Sequence, residues 1–166
     1  MTSRRDIRGL VLAVVATEAV GGASALAAGG DFRSYFDSLR KPPLTPPPAA
    51  FGPAWTTLYL LMGVAAWLVW RRGISEQSAA ALGLFVAQLV LNALWSIVFF
   101  GSHRLGWALL EIALLWMMIL ATVIAFWRVR PLAGALLLPY LAWVSFATYL
   151  NAGIWRLNRV GESVSG

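Results

Sequence analysis

The sequence predicts an all-α integral membrane protein, a bundle of five transmembrane helices with a proline-rich lid between the first and second. Of its 166 residues, 60% are hydrophobic and only 12% charged, with a mean hydropathy of +0.73, a balance that no soluble domain of this size sustains. The few charges lie between five apolar runs, each close to the ~20 residues a helix needs to cross a bilayer. Six of the eight prolines (Pro42, Pro43, Pro46, Pro47, Pro48 and Pro53) fall in one stretch, KPPLTPPPAAFGPAW, residues 41–55.

The first span is predicted over 7–28. Arg4, Arg5 and Arg8, then GLVLAVVA and Ala25-Leu26-Ala27, also have the outline of a cleaved secretory signal. Glu18 interrupts the apolar core and the run outlasts a usual signal, so the helix is expected to stay. The lid is predicted over 29–48. Proline removes a backbone donor and restricts the residue before it, so 41–55 reads as a stiff extended loop leading into the second span, 49–70. The third span, 79–101, the fourth, 105–127, and the fifth, 132–155, follow with short connections, and Pro139 is expected to bend the last. All of residues 1–166 form one domain.

The net charge of +6 sits at helix ends, which fits membrane anchoring and not nucleic acid. The N-terminus and the second and fourth connections hold seven cations (Arg4, Arg5, Arg8, Arg71, Arg72, Arg128, Arg130) against six on the other side (Arg33, Arg40, Lys41, Arg104, Arg156, Arg159). By that margin of one, the N-terminus is placed in the cytoplasm. With no cysteine and one histidine, His103, in a turn, neither thiol chemistry nor a metal or haem site is expected.

Helical spacing sorts the remaining polar residues into faces. Gln88, Asn92 and Ser96 recur every fourth residue with Trp95 beside them, one polar and aromatic stripe. Ala79, Gly83 and Ala87 recur likewise half a turn away, a small-residue face suited to a homodimer or to packing inside the monomer. Tyr140, Trp143, Ala147 and Asn151 share a face of the fifth span, and Trp55 and Tyr59 share one at the start of the second. Trp67, Trp70, Trp107, Trp127 and Trp155 lie near span ends, as interfacial belts require. Glu18, near mid-span, would cost about 2.5 kcal/mol if left charged in lipid, so it is expected to be a hydrogen-bonded acid inside the bundle, with proton-coupled transport as the alternative. Glu111, two turns into its span, is expected to reach water.

The blocks LRKP with further prolines, WTTLYLLMG, FVAQLVLNALWSIVFFG and PYLAWVSFATYLNAGIWRLN resemble the TspO/MBR family of tryptophan-rich sensory and translocator proteins. The resemblance implies a five-helix bundle, commonly dimeric, with a lidded cavity that binds porphyrins such as protoporphyrin IX and benzodiazepine-type compounds. Some bacterial members degrade protoporphyrin in light, and animal members are associated with cholesterol. Carried onto this chain, the cavity tryptophans are Trp55 and Trp143, which are also the residues for any photodegradation. Asn92, Trp95, Ser96, Phe99 and Ala147 line the same space, bordered by Tyr59 and Tyr140; the stripes add Gln88 and Asn151, and the lid Tyr35. Arg33, Arg40 and Lys41 are candidate partners for the propionates, or plain solvated cations.

The chain departs from the family in its lid, where Tyr35-Phe36, Pro43, Leu44, Ala49 and Ala50 replace more aromatic residues. Its sterol motif is broken as well, with six residues between Tyr149 and Arg156 and Ala152-Gly153 in place of tyrosines. The leading expectation is a binding and sensing protein for porphyrin-type ligands in a bacterial cell membrane, without a required cofactor. The alternatives are a light-dependent protoporphyrin-degrading enzyme and a transporter. Against the transporter, no inverted repeat or pair of broken helices is visible.

Overall fold

The computed structural model describes residues 4–29, 32–73 and 75–159, so Gly30 and Asp31 of the predicted lid lie outside the described residues. Its helices are α1 (Arg4–Ala27), α2 (Phe32–Ser38), α3 (Pro48–Trp70), α4 (Glu76–Ser96, continued by a π-helical segment Ile97–Gly101), α5 (Leu105–Val129), α6 (Pro131–Leu136) and α7 (Leu138–Asn158). Five stretches are long and apolar enough to cross a membrane: Arg4–Ala27, Pro48–Trp70, Glu76–Gly101, Leu105–Val129 and Pro131–Asn158. The five-span, all-helical reading is therefore right, and its boundaries hold to within three residues.

Three local readings are corrected. The lid is not irregular throughout, because Phe32–Ser38 forms a helix inside it. Nor is 41–55 extended to its end: α3 starts at Pro48, in the first turn, where a helix needs no amide donor, and carries Pro53 within its second turn. Proline at the sixth helical position forfeits one hydrogen bond, and the Thr57 hydroxyl donates to the Pro53 carbonyl at 2.9 Å. The fifth span is broken and not bent. It stops at Leu136 and restarts at Leu138, with Pro131 and Pro139 each in a first turn.

Close approach explains how α1 docks. A Cβ on Gly63 would lie 2.7 Å from Val14 Cα and 2.8 Å from Thr17 Oγ1, so only glycine lets α1 sit on α3 here. The Thr17 hydroxyl then donates to the Tyr59 carbonyl at 2.9 Å, across the helix pair. At their shared end Asp6 pairs with Arg71 at 3.2 Å and the Trp67 indole N–H donates to the Asp6 carbonyl at 3.0 Å. The tightest core lies between α3, α4, α5 and α7, where Met62, Ala65, Val69, Ile112, Ile119, Phe126 and Tyr140 are all but inaccessible.

That core has one polar thread. Tyr59 donates to Asn92 Oδ1, Asn92 Nδ2 donates to the Tyr140 hydroxyl at 3.0 Å, and Tyr140 donates to Gln88 Oε1 at 2.9 Å. Four buried polar side chains thereby satisfy one another and tie α3, α4 and α7 together.

Candidate functional site

Between α1, α3, α4 and α7, beneath α2, lies a cavity of about 400 Å³, within the usual range for small-molecule sites. Its walls are largely aromatic. Trp55 and Trp143 meet edge to face, with centroids 6.4 Å apart and planes at 86°. Phe51 packs on Trp143 at 5.9 Å, and Trp95 on Phe99 at 5.2 Å. Gly21, Gly22 and Ala25 of α1 leave the opposite wall nearly bare, and Ala147 keeps α7 thin beside Trp143.

The sequence-predicted residues divide into two sets. Trp55, Tyr59, Trp95, Ser96, Phe99, Trp143, Ala147 and Asn151 line the cavity. Gln88, Asn92 and Tyr140 stand behind that wall, in the polar thread, their hydrogen-bonding groups turned to one another. Tyr35 stacks on His103 at 3.8 Å, fixing α2 to the α4–α5 turn, where His103 adopts the left-handed conformation (φ 56°). Ala79 and Gly83 are exposed on the outer side of α4, and a Cβ at Gly83 would meet nothing within 4 Å. Sequence reasoning missed Phe36, Phe51 and Phe100, which also line the cavity. Phe51 had a signal, since it precedes Trp55 by four residues; treating 48–55 as extended hid it.

Hydrogen bonding separates the cavity polar groups. The Trp95 indole donates to Asn151 Oδ1 at 3.2 Å, Asn151 Nδ2 to the Leu105 carbonyl at 3.0 Å, and Ser24 to the Gly21 carbonyl at 2.9 Å. Among the described residues, the indole N–H groups of Trp55 and Trp143, the Glu18 carboxyl and the Arg33 guanidinium have no hydrogen-bond or ion-pair partner. The expectation of a hydrogen-bonded Glu18 is thus overturned, and so is that of a water-reaching Glu111, whose two carboxyl oxygens are enclosed without a partner.

The lid is fastened to α7. The Arg40 amide donates to Asn158 Oδ1 at 3.1 Å and Asn158 Nδ2 donates back to the Arg40 carbonyl at 2.9 Å. The Tyr149 hydroxyl donates to the Pro43 carbonyl at 3.1 Å. Pro42 lies so close to Gly153 that a Cβ there would approach its ring to 2.7 Å. Lys41 does not line the cavity; its ammonium donates to the carbonyls of Asp37 and Leu39 and lies 5.1 Å from the centre of the Phe36 ring.

Residues 12–156 match the TspO/MBR family along nearly the whole bundle. The chain belongs to the TspO/MBR family. It is 43% identical to the human translocator protein over 131 residues, 78% of each chain, and 43% identical to the tryptophan-rich sensory protein of Cereibacter sphaeroides over 124 residues, 75% of this chain and 77% of that one. The tryptophan-rich protein TspO of Archaeoglobus fulgidus is 37% identical over 153 residues, 92% of this chain and 99% of its relative. TspO/MBR membership together with five apolar spans makes the chain an integral, multi-pass membrane protein in contact with lipid, of a sensory and translocator family.

Proposed function

We propose that this TspO/MBR protein binds porphyrin-type ligands such as protoporphyrin IX and senses them, occupancy of the cavity being read out through the lid or a dimer partner in tetrapyrrole handling or stress response. The observation that carries this reading is the pair of indoles, Trp55 and Trp143. Both line a cavity roofed by α2, their rings edge to face, and among the described residues neither indole N–H is engaged. A planar macrocycle needs aromatic walls and a few polar groups at its edge, and the pair supplies both. Arg33, which lines the cavity from α2, is available to a propionate. No cofactor is required for binding. The working form is a homodimer joined through Ala79, Gly83 and Ala87, in a bacterial cell membrane with its N-terminus in the cytoplasm.

A dark titration of the solubilised protein with protoporphyrin IX, followed by tryptophan fluorescence, tests this. Saturable quenching that Trp143→Phe weakens supports the cavity. Absence of saturable quenching removes porphyrin as the ligand class.

The edge-to-face indoles also favour a second reading, light-driven degradation, because an indole held against a photo-excited tetrapyrrole can donate an electron to it. Illumination of the saturated complex separates the two. Loss of the porphyrin absorbance with a new product band, abolished in Trp55→Phe and Trp143→Phe, assigns an enzyme, and a stable complex assigns a sensor or carrier.

A further inference from the structure

A carboxyl at mid-span in a membrane helix needs a partner, since lipid supplies none. Among the described residues Glu18 has none, and the reason is visible around it. Tyr59 faces it from α3, but the Tyr59 hydroxyl is donated to Asn92. The Thr17 hydroxyl is bonded to the Val14 and Tyr59 carbonyls at 2.9 Å each, and Ser24, two turns on, bonds back to Gly21. Arg33 is the other charged side chain lining the cavity, and it makes no ion pair with Glu18. Tyr59, Thr17 and Ser24 are thus committed elsewhere, and Arg33 does not reach the carboxyl.

The surface next to Glu18 is nearly free of side chains. Gly21 and Gly22, at i+3 and i+4, also line the cavity, and a Cβ on Gly22 would meet nothing within 4 Å. On Gly21 a Cβ would come within 2.3 Å of the Tyr59 ring, so that ring closes the cavity over the bare helix just past the carboxyl. Glycine costs helix stability; at Gly21 it is explained by the close approach of the Tyr59 ring, and at Gly22 by the open space it leaves. The result is an aromatic-walled slot with the Glu18 carboxyl at its edge.

We propose that Glu18 reads a hydrogen-bond donor on the ligand, so that the cavity selects flat lipophilic molecules carrying an amine or N–H at one edge over isosteric molecules carrying none. The inference rests on the cavity being a ligand site, as read above, but not on the ligand being a porphyrin. A carboxyl-to-amine contact in a water-poor site is charge-assisted and short, and discriminates by about tenfold or more. It differs from the indole contacts in kind, because it orients a ligand within the slot where stacking alone leaves it free to turn.

The test uses the full chain in lipid nanodiscs with two probes of one skeleton, 1-pyrenemethylamine and 1-methylpyrene, binding being read by energy transfer from tryptophan to pyrene. Wild type is expected to bind the amine at least about tenfold tighter than the hydrocarbon. In Glu18→Leu the preference falls to within about twofold because amine affinity is lost, while methylpyrene still binds saturably; Glu18→Gln, which keeps an oxygen acceptor, retains a preference of a few-fold. A wild type that binds both probes equally overturns the proposal, as does a Glu18→Leu variant that keeps the preference or loses both probes alike. Protoporphyrin IX titrated into the same samples keeps the two readings apart. If it saturates where neither pyrene does, donor reading fails and the porphyrin reading stands; if only the amine saturates, the reverse holds.

Discussion

The two halves of this bundle are made of the same residue types and end in opposite conditions. Around α5 the helices close completely: Ala108, Ile112, Leu115, Ile119 and Phe126 are buried against α4, α6 and α7, and the amides of Gln88 and Asn92 are bound to tyrosines. Between α1 and α7 they do not close. Small residues on α1 face indoles across a cavity, and among the described residues the Glu18 carboxyl, the Arg33 guanidinium and the Trp55 and Trp143 indole N–H groups make no hydrogen bond or ion pair. Nothing in hydropathy separates the halves, since both consist of apolar spans. What separates them is whether a helix face finds another helix or finds a space: in the first half Tyr59, Gln88, Asn92 and Tyr140 hold one another, with Glu111 enclosed but unpartnered among the described residues, and in the second Glu18, Arg33 and the indoles of Trp55 and Trp143 face the cavity.

Substitutions can break this comparison. The largest effect is expected from Gly63→Val, which forces α1 off α3; we expect a loss of about 3 kcal/mol, read as a lowered thermal midpoint in detergent, together with loss of ligand binding because the cavity loses a wall. Asn92→Leu leaves two tyrosine hydroxyls without their amide and is expected to cost about 2 kcal/mol by the same measurement. If it instead costs nothing, the closed half does not depend on its polar thread.

On the open side the pattern reverses. Trp143→Ala is expected to weaken ligand binding by about tenfold or more while lowering the thermal midpoint little, since the side chain is only partly buried. Asn158→Ala removes both bonds to Arg40 and frees the lid; ligand dissociation, followed by stopped flow, should accelerate several-fold with about 1 kcal/mol lost in stability. Gly83→Val, with open space around it, should leave stability within about 0.5 kcal/mol and act only on association, measured by light scattering of the solubilised protein.

Much of this architecture is legible in the amino-acid sequence. Spans and helix faces follow from apolar run length and a 3.6-residue period, and those hold here: Gln88 and Asn92 do point inward and Gly83 outward. Periodicity assigns a face but not what that face meets, which is why amides of α4 expected at the cavity are bonded to Tyr59 and Tyr140. Helix α2 is illegible because FRSYFDS is too short to show a period, and it is held by tertiary contacts, Phe36 against Phe51 at 5.6 Å and Tyr35 on His103. The π segment at Ile97–Gly101 leaves no mark in composition, since it is a slip in hydrogen-bond register, with the Ser102 amide reaching the Ile97 carbonyl at 2.8 Å. Glu18 stands out in the sequence only as an anomaly; that Thr17 and Tyr59 beside it are engaged elsewhere emerges from the packing of α1 on α3.

The most direct measurement is a two-dimensional nitrogen–proton spectrum of the tryptophan indoles during a titration with protoporphyrin IX in the dark, with signals assigned by single Trp→Phe substitutions. There are nine such groups, and Trp67, Trp95 and Trp116 already donate to Asp6, Asn151 and Ser145. The Trp55 and Trp143 signals are expected to move saturably and together while those of Trp67 and Trp116 stay in place. Saturable binding that leaves Trp55 and Trp143 unmoved would put the ligand elsewhere and contradict this expectation.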